Sequence, residues 1–368
     1  MKHLVLLGGG HAHLHVLKAL GAQAMAGARV TLVSPFSRQM YSGMVPGWVS
    51  GHYGVDDISV ALGPLAAAAK VEFLETSATT VNANAKTVTL LNGQTLAFDV
   101  LSLDTGPVMD RDLIRGAREH ALFVRPIEHF ARLSAGLVDL ALTRALDVVV
   151  VGGGAAGVEL VMALQHRLCK VVATGARLSL VTGGSAPMAS HPLRVQARVK
   201  QALKRRHITV LEDICLEVRD GSLWLGSGAR LACDAPVLAL GSSAPRWLAN
   251  SGLALDEAGF VATGATLQST SHPDVFAAGD VASRVDVARP RSGVYAVRAG
   301  PPLEANLRLR LGGGALLPYL PQPRSLNLLA CGDRSAIASW GEWSLQGAWV
   351  WRWKDKIDRE FVSRYRAV

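Results

Sequence analysis

The chain has 368 residues, of which 49% are hydrophobic, and a formal net charge of +9 at pH 7. This length and composition predict a globular, enzyme-sized protein with two or three domains. The basic residues form no long run, so we expect no nucleic-acid partner, and no apolar run reaches the ~18 residues of a membrane span.

The four cysteines, Cys169, Cys215, Cys233 and Cys331, show no CxxC pair and no metal-ligand spacing. The apolar run Leu4–Leu7 continues directly into Gly8-Gly9-Gly10, which favours a first strand over an export signal. We therefore expect a reduced, cytoplasmic protein.

A first nucleotide-binding unit is predicted at the N-terminus. The strand Leu4–Leu7 precedes the glycine turn, a helix follows over His11–Leu20, and a second strand covers Arg29–Val33. The backbone N–H groups of such a turn and the positive end of the helix dipole together bind a pyrophosphate.

The following segment is predicted to be rich in turns and short strands. The stretch Tyr41–Gly47 is interpreted as a loop, and Val71–Leu91 as strands, with a hairpin turn at Asn92-Gly93. The strand Val100–Leu103 then runs into Asp104-Thr105-Gly106-Pro107, the pattern of a strand that leaves one domain for another.

A second unit of the same kind is predicted between two such exits. The strand Val148–Val151 is followed by Gly152-Gly153-Gly154-Ala155-Ala156-Gly157, a helix from about Gly154 to Lys170 and the strand Leu178–Val181. The exit pattern recurs at Val237–Gly241. One glycine turn is a weak signal, but two in strand-turn-helix context are a strong one.

The chain then carries Ala277-Ala278-Gly279-Asp280, a helix predicted from about Val294 to Leu311, a Gly-Pro-rich linker over Gly312–Pro323 and a module from near Leu326. We predict an α/β fold of two Rossmann-like dinucleotide-binding domains, the second inserted in the first, with a small C-terminal α+β module. The predicted bounds are 1–110 with 242–322 for the FAD-binding domain, 111–241 for the NAD(P)-binding domain and 323–368 for the module.

The order of these motifs resembles the pyridine-nucleotide-disulfide oxidoreductase superfamily. The segments Gly8–His13, Tyr41–Gly47, Gly300-Pro301-Pro302 and Trp343–Gly347 resemble its type II NADH dehydrogenase branch. They look most like the oxidoreductase domain found fused to selenide, water dikinase.

The resemblance implies FAD on the first domain, with Asp280 bonded to the ribityl chain, and NADH or NADPH on the second. It also implies that Tyr41–Gly47 lies alongside the isoalloxazine ring, with an ordinary surface loop as the alternative. Glu159 would lie near the nicotinamide, although a carboxylate early in a helix is also favoured by the dipole alone. The catalytic residues that it implies are Glu159, Pro46 and Tyr295. The implied cofactor-binding residues are Gly8, Gly10, His11, Ala12, Ser34, Pro35, Arg38, Thr105, Gly106, Gly279, Asp280, Val294, Gly152, Gly154, Ala155, Ala156, Gly157 and Gly241.

Both units lack the acidic residue that usually holds the ribose hydroxyls at the end of the second strand. Ser34 stands there in the first unit and Thr182 in the second. The sequence leaves NADH and NADPH equally open, since Arg177 and Arg194 are only loosely placed for a 2′-phosphate. His13 stands where a third small residue is usual, so the packing of helix on strand must differ there.

The histidines near the N-terminus are not interpreted as a metal site. His11 and His15 share a helical face, but no third ligand is indicated. Cysteines are absent from the positions where disulfide reductases and sulfide-oxidising relatives carry them, which favours electron transfer without thiols.

The C-terminal module combines Trp340, Trp343, Trp349, Trp351 and Trp353 with basic residues. Such a cluster suits a membrane interface, but the acidic residues that dilute its charge favour packing on the FAD domain or on a second subunit. Peripheral contact with the inner face of the membrane and a homodimer both remain open.

We predict an FAD-dependent NAD(P)H dehydrogenase that passes electrons to a small-molecule acceptor such as a quinone. Two alternatives remain: a sulfide- or selenide-oxidising flavoprotein that uses Cys169 or Cys331, and a non-enzymatic flavin redox sensor or assembly factor.

Overall fold

The computed structural model describes residues 1–171 and 176–366. The first segment of the chain forms a parallel sheet with flanking helices and a small antiparallel sheet. Its elements are β1 (Lys2–Leu7), α1 (His11–Ala22), β2 (Ala28–Ser34), β3 (Arg38–Met40), α2 (Val45–Val49), β4 (Ser59–Ala61), α3 (Leu62–Ala68), β5 (Glu72–Glu75), β6 (Ala78–Asn82), β7 (Thr87–Leu90), β8 (Thr95–Ala97) and β9 (Val100–Leu103).

The middle segment forms a second parallel sheet and a three-stranded antiparallel sheet. Its elements are α4 (Ala117–His120), β10 (Leu122–Phe123), α5 (Ile127–Thr143), β11 (Asp147–Val151), α6 (Ala155–Val171), β12 (Arg177–Val181), α7 (Leu193–Arg205), β13 (Thr209–Leu211), β14 (Cys215–Arg219), β15 (Ser222–Leu225), β16 (Arg230–Ala232) and β17 (Ala235–Leu238).

The last segment returns to the first sheet and then builds the C-terminal module. Its elements are β18 (Val261–Thr263), β19 (Val275–Ala277), β20 (Ala282–Arg284), α8 (Gly293–Gly312), β21 (Asn327–Ala330), β22 (Ala336–Trp340), β23 (Trp343–Gly347) and α9 (Ala348–Tyr365).

The two parallel sheets explain how the chain is organised. The first has the strand order β19-β9-β1-β2-β5 and the second β10-β17-β11-β12-β13. β19 pairs with β9, so the last strand of the first sheet follows all strands of the second sheet in the sequence. The predicted α/β fold with two parallel Rossmann-like sheets is thus confirmed, whereas the residue bounds of the domains stay predictions.

The strands are buried because each parallel sheet is covered by other elements. One face of the first sheet packs on α1 and α8, and the opposite face packs on the antiparallel strands β6 and β7. Leu4, Leu6, Val148 and Val150 have no exposed surface. Both glycine turns follow directly from the carboxyl end of such a buried strand, and this edge is where open α/β sheets bind ligands.

The segment Tyr41–Gly47 differs from the predicted loop. It forms a 3₁₀ turn over Ser42–Met44 that continues into α2. Pro46 lies in the first turn of α2, where a missing N–H breaks no helical hydrogen bond, so a proline that suggested a loop instead begins a helix. Among the described residues, none of the helices is both long and apolar enough to span a bilayer.

Candidate functional site

The first glycine turn lies against the end of β9. Gly8 has φ +96°, and a Cβ on Gly8 would collide with the backbone carbonyl of Asp104. A Cβ on Gly10 would collide with the Asp104 side chain. Only glycine tolerates both the positive φ and this close approach, so the turn is built for contact between backbones.

Asp104 is a functional residue that the sequence motif did not identify. Its buried carboxylate accepts the N–H groups of Ala12 at 2.8 Å and His13 at 2.9 Å, in the first turn of α1. Burial raises the pKa of Asp104 to about 7, against the lowering effect of these two hydrogen bonds, and the nearby Asp280 raises it further. The sequence signal that could have identified Asp104 was an acidic residue directly after a buried strand.

His13 fills the position where a small residue is usual. Its Nδ1 lies 2.6 Å from the Gly8 carbonyl oxygen and its Nε2 lies 2.8 Å from Ser102 Oγ. Burial lowers the pKa of His13 to about 4, so the ring is neutral. The imidazole therefore ties the glycine turn to β9 through hydrogen bonds instead of the usual close packing.

A cleft of about 660 Å³ runs along this turn. Its volume lies in the range of cofactor and small-molecule sites. Eight of the predicted cofactor residues line it: Gly8, Gly10, His11, Ser34, Pro35, Thr105, Gly106 and Asp280. The start of α8, at Ser292 and Gly293, lines the same cleft and directs the positive end of its dipole there.

Asp280 lines the cleft beside a cation, Arg125, from the segment between β10 and α5. Arg125 Nη2 is 3.8 Å from Asp280 Oδ2, and the Asp280 side chain is 13% exposed. Burial raises the pKa of Asp280, while Arg125 and Arg291 act to lower it. Arg125 was not identified from the sequence, because it belongs to no glycine motif and reaches Asp280 only through the tertiary fold.

The cleft fits a dinucleotide flavin on two structural observations. Gly8 and Gly10 exclude any larger residue. Two residues that line the cleft, His11 and Ser292, each carry a buried polar atom, Nε2 and Oγ, that has no hydrogen-bond partner among the described residues. Burial lowers the pKa of His11 to about 4, so its ring is neutral. A ligand in the cleft that reached these atoms would complete their hydrogen bonding.

Four other predicted residues lie outside the cleft lining. Arg38 pairs with Asp56 at 2.8 Å. Pro46 is buried in α2. Val294 is half-buried at the start of α8. Tyr295 lines a separate cavity next to Asp280.

The remaining two predicted residues of the first domain, Ala12 and Gly279, lie next to Asp104. The N–H of Ala12 is bound by Asp104. Gly279 has φ +68°, and a Cβ there would lie 2.6 Å from Asp104 Oδ1. Asp104 is thus the contact between the glycine turn and the Gly279-Asp280 segment.

The second glycine turn has the same construction at the end of β11. Gly152 has φ +136° and packs on the Ala239 carbonyl, and Gly157 packs on the Gly152 carbonyl. A Cβ on Gly154 would meet no described atom within 4 Å, and Ala156 is exposed. The turn and the first helical residues Ala155 and Ala156 therefore present an accessible surface, with the exposed Gly241 following β17.

The end of β12 offers no free hydroxyl for a ribose. Thr182 is buried, and its Oγ1 donates a hydrogen bond to the Ser185 carbonyl. Arg177 is engaged by Asp147 at 2.5 Å, while Arg194 is exposed at the start of α7. The ion pair with Asp147 engages Arg177, so the choice between NADH and NADPH stays open.

Glu159 lies on α6 in a cluster of titratable groups. Its Oε1 accepts the Ala330 N–H at 2.7 Å. Burial raises the pKa of Glu159 to about 7, opposed by the positive charge of Lys354 and by this hydrogen bond, and Asp358 acts to raise it. A carboxyl group with this pKa is half protonated at neutral pH and suits proton transfer.

Lys354 and Asp358 of α9 complete this cluster, and sequence analysis missed both. The buried Lys354 Nζ lies 2.5 Å from Asp358 Oδ2 and 2.5 Å from the Gly43 carbonyl oxygen. The Tyr41 hydroxyl bonds to Asp358, and the Tyr41 ring stacks on Phe361 with centroids 4.3 Å apart. The available signal was their i, i+4 spacing on the same helical face as the apolar Val350, Phe361 and Tyr365.

The thiols do not form a reactive centre in the described residues. Cys331 is buried, and burial raises its pKa to about 11, whereas Cys169 is exposed. All four cysteines are free. No group of three or more His, Cys, Asp and Glu side chains in the described part of the chain is placed to hold a metal ion.

Comparison with known proteins agrees with this architecture. An NADH dehydrogenase-like protein of Mycobacterium tuberculosis is 28% identical over 233 residues, which cover 61% of this chain and 58% of that protein. The demethylphylloquinone reductase of Synechocystis is 24% identical over 91% of this chain and 86% of its own. The chain thus spans little more than half the length of the first of these relatives.

Among solved structures, the sulfide:quinone oxidoreductase of Aquifex aeolicus superposes with a TM-score of 0.83 at 18% identity, over 100% of this chain and 92% of that one. The sequence pattern of one family matches residues 2–300. With two glycine turns on two parallel sheets and this match over most of its length, the chain belongs to the pyridine nucleotide-disulphide oxidoreductase family.

Proposed function

We propose that this chain is an FAD-dependent NAD(P)H dehydrogenase that delivers electrons to a quinone or a similar small acceptor. One observation carries the proposal: Glu159, two residues after the second glycine turn, and the Tyr41–Gly43 segment of the first domain meet in one cluster with Lys354. With one nucleotide bound at each glycine turn, this cluster would lie where the two domains meet. Hydride transfer requires that the nicotinamide and flavin rings come together at such a place.

When bound, FAD would supply the two-electron redox chemistry between the nicotinamide and the acceptor. The role of the chain is to bind, orient and supply charge. Asp280, Thr105 and His11 would hold the flavin nucleotide, and Gly154, Ala155 and Ala156 would hold the pyrophosphate of NAD(P)H through their backbone. The dipole of α8 would stabilise negative charge that develops at its N-terminus.

Glu159 and Lys354 would serve the acceptor. The overall reaction, NAD(P)H + H⁺ + quinone giving NAD(P)⁺ + quinol, needs one proton beyond the hydride. Glu159 has a pKa of about 7 and would hold that proton. The Lys354 ammonium, oriented by Asp358, would stabilise negative charge on a partly reduced acceptor oxygen.

We further propose that the C-terminal module contacts the membrane where a lipid-soluble quinone resides. Trp343 is 72% exposed, and Trp349 and Trp353 are exposed one helical turn apart on α9. Trp351 instead packs beside Tyr53 and His52. Exposed tryptophan rings near basic residues suit the headgroup region of a bilayer.

Two measurements separate a lipid contact from a homodimer. Co-sedimentation with anionic vesicles that is lost in Trp343→Ser supports the membrane contact. If the wild type does not bind vesicles, and light scattering shows a dimer that becomes a monomer in Trp343→Ser, the module forms a homodimer contact and not a membrane contact.

The thiol-based alternative needs a reactive thiolate, and burial disfavours one at Cys331 by raising the pKa of its thiol to about 11. Cys169 is exposed and is the thiol left to this alternative. A flavin redox sensor remains the second candidate. Kinship with the domain fused to selenide, water dikinase also stays a prediction, resting on the motifs alone.

An anaerobic titration with NADH and, separately, NADPH tests the proposal, with the flavin absorption band as the readout. Rapid bleaching by one nucleotide supports the dehydrogenase and names the coenzyme. A flavin that neither nucleotide reduces contradicts it and favours the sensor. The exposed Glu342→Gln variant is the matched control for Glu159→Gln, since only the latter changes the cluster.

A further inference from the structure

A second cavity, of about 360 Å³, adjoins the cofactor cleft. It lies between the first turns of α8, the strands β18 and β20, and the segment over residues 284–291. Asp280 and Ala296 line both this cavity and the cleft, so the two are separated only by the Gly279-Asp280 turn and the start of α8. Its volume is within the range that holds a small molecule.

Three arginines line this cavity, and one of them has no carboxylate partner. Arg284 is paired with Asp286 at 2.8 Å and Arg291 with Asp256 at 3.0 Å. Arg289 makes no ion pair with any described residue, and its Nη groups donate only to backbone carbonyls, Ala288 at 3.1 Å and Pro321 at 3.3 Å. The wall therefore contains one guanidinium, Arg289, that no described carboxylate contacts, together with the carboxylate of Asp280.

Two donors at the cavity are also left without partners. Arg289 Nε and Tyr319 Oη are buried from solvent, and neither has a hydrogen-bond partner among the described residues. Burial raises the pKa of Tyr319, while Arg298, Arg284 and Arg289 act to lower it, so several positive charges face this hydroxyl. A buried donor left unsatisfied costs about 1–3 kcal/mol, which a ligand oxygen would recover.

Part of the cavity lining is apolar. Leu267, Ala277, Ala278 and Ala299 belong to it, and all four are buried. A ligand that matches this lining has an acidic group for Arg289 and Tyr319 and a small carbon body for the alanines and leucine. Guanidinium groups bind carboxylate and phosphate oxygens in the same way, so the two acidic groups share this chemistry.

We propose that this cavity, the arginine pocket, binds a small anion that carries a carboxylate or phosphate group, and that its occupancy is sensed at the flavin site. The coupling follows from the shared Asp280 and from the position of Arg291 two residues before α8. Negative charge placed beside the start of α8 opposes further negative charge in the cofactor cleft. The bound anion therefore makes the flavin harder to reduce.

Titration calorimetry on the FAD-loaded protein at constant ionic strength tests the proposal. The probes are succinate, inorganic phosphate and the neutral analogue 1,4-butanediol. We expect saturable binding of one or both anions and none of the diol. Arg289→Gln and Tyr319→Phe should each weaken that binding at least about tenfold, the loss of one hydrogen bond to a charged group.

The controls make the test independent of NAD(P)H oxidation. Arg230→Gln removes an exposed arginine outside the pocket and should leave binding unchanged. Phosphate held at the second glycine turn would not respond to Arg289. If Arg289→Gln fails to fold, Tyr319→Phe, which removes a single oxygen, decides.

Three results overturn the proposal: no saturable binding of either anion, binding that both pocket variants leave unchanged, or equal binding of the diol. Binding of succinate alone or of phosphate alone supports it and identifies the acidic group. The flavin midpoint potential should fall when the bound anion is present and stay constant in Arg289→Gln. An unchanged potential in the wild type refutes the coupling.

Discussion

Asp104→Asn should make the apoprotein increasingly more stable than the wild type as the pH rises from about 4 to 8. The carboxyl group is buried under the first turn of α1 and has a pKa of about 7, against an ordinary value of 3.8. In this interval the native state binds a proton that the unfolded state has released, so the wild-type free energy of unfolding falls with rising pH. Asparagine keeps an oxygen for the Ala12 and His13 N–H groups and does not titrate.

The magnitude follows from the difference between these two pKa values, which is roughly 3 units. At 1.36 kcal/mol per unit, the variant should gain about 4 kcal/mol over the wild type between pH 4 and pH 8. The stabilisation that protonated Asp104 provides is complete below pH 3.8 and is lost as the pH passes through about 7.

Urea unfolding of the apoprotein, followed by tryptophan fluorescence at several pH values, measures this difference. The exposed Asp139→Asn on α5 is the control and should show almost no pH-dependent change against the wild type. A constant difference between Asp104→Asn and the wild type from pH 4 to pH 8 would refute a buried, protonated carboxyl group. Because the pyrophosphate adds negative charge nearby, FAD affinity should also weaken above pH 7 in the wild type alone.

Further variants address the cofactor site and the cluster. Glu159→Gln should lower quinone turnover about 100-fold, the scale of general acid catalysis, and remove the loss of rate as the pH rises through about 7; an unchanged pH profile contradicts a proton-donor role. Lys354→Met should move the midpoint of that profile to higher pH, since Lys354 lowers the pKa of Glu159. A midpoint that moves to lower pH in stopped-flow measurements would contradict this effect of Lys354. Asp280→Ala should purify without flavin, whereas Asp280→Asn should keep part of it; full yellow colour in Asp280→Ala excludes its role. The double variant Cys169→Ser/Cys331→Ser should retain full NAD(P)H turnover, and loss of activity in this well-folded variant would restore the thiol route.

The features that depend on neighbouring residues could be predicted from the amino-acid sequence. A buried strand, a glycine turn with positive φ and a following helix are local, so Gly8–Gly10 and Gly152–Gly157 predicted both nucleotide turns and the α/β fold. Hairpins are local too, and the Asn92-Gly93 turn joins β7 to β8 as predicted. The presence of α8 was likewise readable, since its pattern runs over consecutive residues.

Contacts between distant side chains depend on how the elements pack, and the sequence did not predict them. Asp104 reaches α1 across more than 90 residues, Lys354 reaches Gly43 across 311, and Arg125 approaches Asp280 from the segment between β10 and α5. The direction of a side chain on a helix is set by what the helix packs against, which is why Tyr295 lines the arginine pocket although its helix was predicted correctly. Burial likewise sets the pKa values of Asp104 and Glu159, because desolvation depends on the whole surrounding fold and leaves no trace in a local pattern.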